Sequence, residues 1–150
     1  MENDNIMNDY RIQIIVDIYN FEFSPSIITD VIGVVPDRAC LKGARNKERR
    51  LPRSNIWSYR TSVETHFRTA HDHWDHFIEV FGKAASELAR LLDGANCDVT
   101  LVVSPITYLP VFSIPPDAIS ILHKIRANFY FSVLLDFNKE SNCWISIERE

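Results

Sequence analysis

Between Thr61 and Asp93 the apolar residues fall at Val63, Phe67, Ala70, Trp74, Phe77, Phe81, Ala84, Leu88 and Leu91, in steps that alternate four and three. That spacing lays a single apolar stripe along an α-helix, and the period of two that a strand requires is missing. Thr61 with Glu64 three residues on reads as a capping box, and Gly94 as a left-handed stop just past the last stripe residue. The predicted helix is about 45 Å long, enough to cross the face of a small sheet, and the rest of the chain is organised around it.

Before it, Tyr10 to Phe23 alternates: Tyr10, Ile12, Ile14, Val16 and Ile18 point one way, and Arg11, Gln13, Asp17 and Tyr19 the other. This is a long strand with one buried face. Ser24-Pro25 supplies an N-cap and a first-turn proline for a short helix that Gly33 ends. Residues 37–54 read as a long surface loop with room for one short strand, and 55–60 as a second strand rich in aromatics.

After the long helix, 98–107 reads as a strand with Val99, Leu101 and Val103 on one face. Pro115-Pro116-Asp117 opens a helix that buries Ile119, Leu122 and Ile125. A strand over 129–137 is hairpinned to another over 143–147. The order predicts an α+β fold: a mainly antiparallel sheet of about five strands, with one long helix and two short helices packed on it.

A chain of 150 residues fits one domain, here 10–150, with 1–9 as a disordered leader. Membrane spanning by a helix would need a run of about 18 apolar residues, which the sequence lacks. Cys40, Cys97 and Cys143 are odd in number and far apart, neither a disulfide framework nor a zinc pattern. Free thiols and an acidic, polar start lead to the expectation of a cytoplasmic protein.

The net charge of −4 conceals a segregation. Residues 38–60 carry eight basic side chains against the single acid Glu48, leaving eight basic against nineteen acidic elsewhere. Such asymmetry bears on partners more than on fold.

Three sets of residues invite chemical readings. His66, His71, His73 and His76 lie within eleven residues, but His66 and His73 are about 10 Å apart along a helix, and the remaining pairs offer two ligands, too few to close a zinc site. They read as a solvated polar face, with no metal and no cofactor expected. Cys40 lies among cations that could lower its pKa, yet no Cys motif surrounds it, so no catalytic residue is assigned.

The third set is the strongest: Arg38, Lys42, Arg45, Lys47, Arg49, Arg50 and Arg53, followed by Trp57 and Tyr59. Cations interleaved with aromatics suit an acidic protein partner or single-stranded nucleic acid, and equally a solvated loop whose cations lean on the domain's own acidic surface. The acidic whole disfavours the second. Trp74, in the apolar stripe, reads as core.

The run Ile28-Thr29-Asp30-Val31-Ile32-Gly33-Val34-Val35-Pro36, then Lys42-Gly43, then Asn55-Ile56-Trp57, resembles a bacterial family catalogued as domain of unknown function 4279. The resemblance implies a strand, a short helix with a Gly-hydrophobic-x-Pro exit, a Lys-Gly, and a Trp closing the loop. It implies small soluble proteins and carries no catalytic residues to transfer.

The expected function is therefore non-enzymatic: binding of an acidic protein partner through the basic loop 37–54, immunity-type neutralisation of a toxin being one concrete form. An RNA- or nucleotide-binding module using the same loop is the alternative, and a hydrolase the third reading.

Overall fold

The computed structural model describes residues 11–43, 53–61, 69–104 and 111–134, and the backbone of 135–137 and 141–146. These contain, in order, β1 (Arg11–Tyr19), α1 (Pro25–Ile32), β2 (Arg38–Cys40), β3 (Ile56–Arg60), α2 (Ala70–Gly82), α3 (Ala85–Leu91), β4 (Asn96–Ser104), α4 (Pro116–Lys124), β5 (Asn128–Phe137) and β6 (Ser141–Ser146). The expected leader lies outside the described residues.

The strands form one six-stranded sheet in the order β2-β3-β1-β4-β5-β6. Every neighbouring pair is antiparallel except β4 with β5, which run parallel. The exception follows from connectivity: α4 intervenes between these two strands, and such a crossover returns the chain in the same direction. The fold is thus α+β with a mainly antiparallel sheet, as the pattern predicted, but with four described helices in place of one long and two short.

The alternation in β1 buries Ile12, Ile14, Val16 and Ile18, and that in β4 buries Cys97, Val99, Leu101 and Val103. The helices cover this face, adding Ile28, Trp74, Phe77, Phe81, Leu88, Leu122 and others to a single core. α1 forms as its local signals dictate. Ser24 caps it, Pro25 opens it, and Gly33 at φ 81° closes it by donating its N–H to the Thr29 carbonyl at 2.7 Å.

The long helix differs from expectation in two places. Thr61 ends the β3 ladder, its N–H donating to the Ile14 carbonyl at 2.9 Å, and residues 62–68 lie outside the described residues. The capping box is at Thr69 and Asp72. Thr69 Oγ1 accepts from the Asp72 N–H at 3.2 Å, and Asp72 Oδ2 accepts from the Thr69 N–H at 2.8 Å.

The second difference is a break after Gly82, where α2 gives way to α3. A Cβ at Gly82 would stand 3.5 Å from Ile121 Cδ1, so α4 approaches α2 closely here. The apolar stripe runs through the break unaltered, with Phe81, Ala84 and Leu88 all buried. Periodicity alone could not register the interruption.

α4 is turned from its expected setting. Ala118, Ile121, Leu122 and Ile125 face the core, while Ile119 is 52% exposed. The buried set follows i, i+3, i+4, i+7, with the small Ala118 as its first member.

Candidate functional site

The basic segment leaves and re-enters the sheet at its β2 edge, where three side chains hold it. Asn55 is buried and its amide orientation is determined by its partners. Its Oδ1 accepts from the Lys42 N–H at 2.7 Å, while its Nδ2 donates to the carbonyls of Phe21 at 2.8 Å and Phe23 at 3.0 Å. Asp37 donates its N–H to the Ser58 carbonyl at 2.9 Å and accepts from the Arg60 N–H at 2.6 Å through Oδ2. Trp57 Nε1 donates to Thr29 Oγ1 at 3.0 Å, tying β3 to α1. Residues 37–42 and 53–60 are therefore fixed on both sides of the segment.

Arg38, Lys42 and Arg53 are exposed on this framework. Arg45, Lys47, Arg49 and Arg50 lie outside the described residues. Trp57, read from the sequence as part of the binding surface, is instead fully buried, edge-on to Phe81 with ring centroids 6.5 Å apart. The alternation of β3 is the cause: Trp57 and Tyr59 face the helices, and Ile56, Ser58 and Arg60 the opposite side. Two apolar side chains at the ends of β2 remain in water, Val35 at 83% exposure and Leu41 at 51%.

The solvated histidine face expected from the sequence holds for His71 but not for His73. His73 is fully buried, and its Nδ1 shares a 2.6 Å hydrogen bond with Thr61 Oγ1. That same oxygen accepts from the Ile14 N–H at 2.9 Å. Thr61 and His73 thereby join β1, the end of β3 and α2 by polar bonds inside the core. His76 Nε2 and Tyr59 Oη share a 2.7 Å hydrogen bond with their rings stacked, and burial raises the Tyr59 pKa, helped by the charge of Asp37. Beside this pair, a shallow groove of about 360 Å³ runs between Val31, Val34, Val80 and Ala84. His71 stays at the surface, 3.4 Å from Asp75, and His66 lies outside the described residues.

The face of the sheet opposite the described helices holds a feature that strand patterns could not reveal. The β1–β4 register sets Asp17 directly opposite Asp98. Like charges in that position destabilise a sheet. Neutral donors surround them: Ser58 Oγ on Asp17, and Tyr19 Oη at 2.8 Å and Asn128 Nδ2 at 3.0 Å on Asp98. The bond to Asp98 raises the Tyr19 pKa, with burial as a lesser cause. Alternation alone puts both aspartates on polar faces; only the register brings them together.

Among the cysteines, Cys97 is buried beneath β4. Desolvation pushes its thiol up to about 12, with the nearby Asp98 and Asp17 adding to the effect, so it is a packing residue and not a nucleophile. Cys40 is half-buried on β2, and the Cys143 side chain lies outside the described residues. Among the described residues, no three His, Cys, Asp or Glu side chains are grouped to hold a metal ion. No described helix is long and apolar enough to cross a membrane.

These elements define an α+β domain in which a mixed sheet carries helices on one face and a clasped basic segment at one edge. The chain belongs to the family described as Domain of unknown function (DUF4279), whose model matches residues 10–136. No curated protein and no solved structure matches it.

Proposed function

We propose that the protein is a non-enzymatic binding module that engages an acidic protein partner through residues 37–54, in the cytoplasm. Neutralisation of a toxin in the manner of an immunity protein is one form this would take. The observation that supports the reading is the Asn55 clasp. A buried amide that ties Lys42 to the chain around Phe21 and Phe23 holds the base of a cation-rich segment rigid. A rigid base reduces the ordering cost of binding.

A protein partner is favoured over a nucleic acid by the setting of the aromatics. Stacking on bases requires exposed rings, whereas Trp57 is buried and Tyr59 is engaged by His76.

The test is charge reversal at Arg45, Arg49 and Arg50 in one variant. Exposed ion pairs contribute about 0–1 kcal/mol each, so the melting temperature should stay nearly unchanged. Capture of the partner from a lysate of the source organism should be lost. Undiminished capture by the folded variant would refute the assignment of this segment as the binding surface.

A further inference from the structure

We propose that the outer edge of β2 accepts an extended acidic segment of the protein partner as an added strand. This rests on the protein-binding reading above and specifies how the partner is held. β2 stands at the end of the sheet, bonded to β3 on one side, and no described strand pairs with its other side. Open backbone groups on an edge strand are a template for a further strand.

Three observations make this edge more than an exposed margin. It is held at both ends, by Asp37 bonded to Ser58 and Arg60 before it, and by Lys42 bonded to Asn55 after it. It is flanked by Val35 and Leu41, whose exposure offers apolar contact to the side chains of an added strand. Its exposed cations, Arg38 and Lys42, outnumber the one exposed acid, Asp37, whose carboxylate accepts from the Arg60 N–H.

A short, charged edge normally guards a sheet against indiscriminate pairing. An excess of positive charge guards it selectively. It repels a basic strand and leaves an apolar one without compensation, while an acidic strand gains charge-assisted contacts on top of the backbone bonds. The same device that keeps the edge from aggregating would thus select its partner.

The experiment uses the full chain and a labelled nine-residue peptide of alternating Glu and Val, capped at both ends. Binding is followed by fluorescence anisotropy, and backbone amide exchange is followed residue by residue. Saturable binding with slowed exchange within residues 37–42 is expected. A Lys-Val peptide, and a Glu-Val peptide N-methylated at every interior residue, should each bind at least tenfold more weakly. The double variant R38E/K42E should weaken binding at least tenfold with an unchanged melting temperature.

Equal binding by the N-methylated peptide would overturn the proposal, because strand pairing needs those N–H groups. So would protection confined to other residues, or no binding at millimolar peptide. Failure here is distinguishable from failure of the binding-module reading. If the Arg45, Arg49 and Arg50 reversal abolishes capture while the peptide ignores β2, only the added strand is refuted. If the peptide protects β2 while that variant still captures its partner, the edge proposal stands and only the part played by Arg45, Arg49 and Arg50 falls.

Discussion

The two faces of the sheet are built from the same strands and do opposite work. On the helix-covered face, β1 and β4 contribute Ile14, Val16, Val99 and Leu101, and β3 contributes Trp57, against Trp74, Phe77 and Phe81. Polar groups there are few, and the Thr61–His73 pair is bonded internally. On the other face the same strands present Asp17, Tyr19, Ser58, Asp98 and Tyr130, with two carboxylates opposed across the central ladder. The first face carries the stability of the fold. The second contains a like-charge pair that a sheet selected for stability alone would not keep. The difference teaches that side chains one residue apart in a strand answer to different demands, and that substitutions should divide accordingly.

The largest effect should come from the covered face. Trp57→Ala or Phe77→Ala should each cost about 3–5 kcal/mol by urea denaturation, from lost burial and the cavity left behind. For Trp57 the bond to Thr29 is lost as well. Either loss consumes much of a domain stability of about 5–15 kcal/mol. A cost below about 1 kcal/mol at Trp57 would mean that its ring can leave the core and would restore it as a surface residue.

Cys97 tests the same face through pH. Its thiol is raised from an ordinary 9.0 to about 12 in the folded chain. Because the folded pKa lies above the unfolded one, the unfolded state loses its proton first as pH rises. The Cys97 contribution is constant well below pH 9 and falls between pH 9 and 12, by about 4 kcal/mol at the upper limit. The raised hydroxyls of Tyr19 and Tyr59 act in the same direction. Chemical denaturation across this range should show a shallower decline in Cys97→Ala than in the parent. Identical slopes would mean that the thiol titrates equally in both states.

The smallest effect should come from the face opposite the described helices, with the sign reversed. Asp17→Asn removes one of two facing charges and leaves an oxygen to accept from Ser58. It should stabilise the protein by about 0.2–1 kcal/mol at neutral pH and low salt, less at high salt. Destabilisation by more than that amount would show that the Asp17 charge is compensated by a cation, and the contrast between the faces would need redrawing.

What could be read from the sequence alone was what neighbouring residues decide. The alternation in β1 and β4, the Ser24-Pro25 start and Gly33 stop of α1, and the Pro-initiated α4 are local, because steric preference and capping act within a few residues. The concentration of cations in residues 37–54 is likewise a property of the sequence itself. The start of α2 was misplaced because two capping signals, Thr61 with Glu64 and Thr69 with Asp72, are equivalent in letters. The break after Gly82 was missed because the stripe is continuous across it.

The remaining decisions are non-local. Burial of Trp57 and His73 depends on which side of β3 and α2 meets the core, and the pairing of Asp17 with Asp98 on a register set between strands some eighty residues apart. The clasp of Asn55 on Lys42, Phe21 and Phe23 likewise joins positions remote in sequence. Hydrogen-bond partners and buried faces of this kind exist only once the sheet has assembled, since backbone propensity does not encode which strand lies beside which.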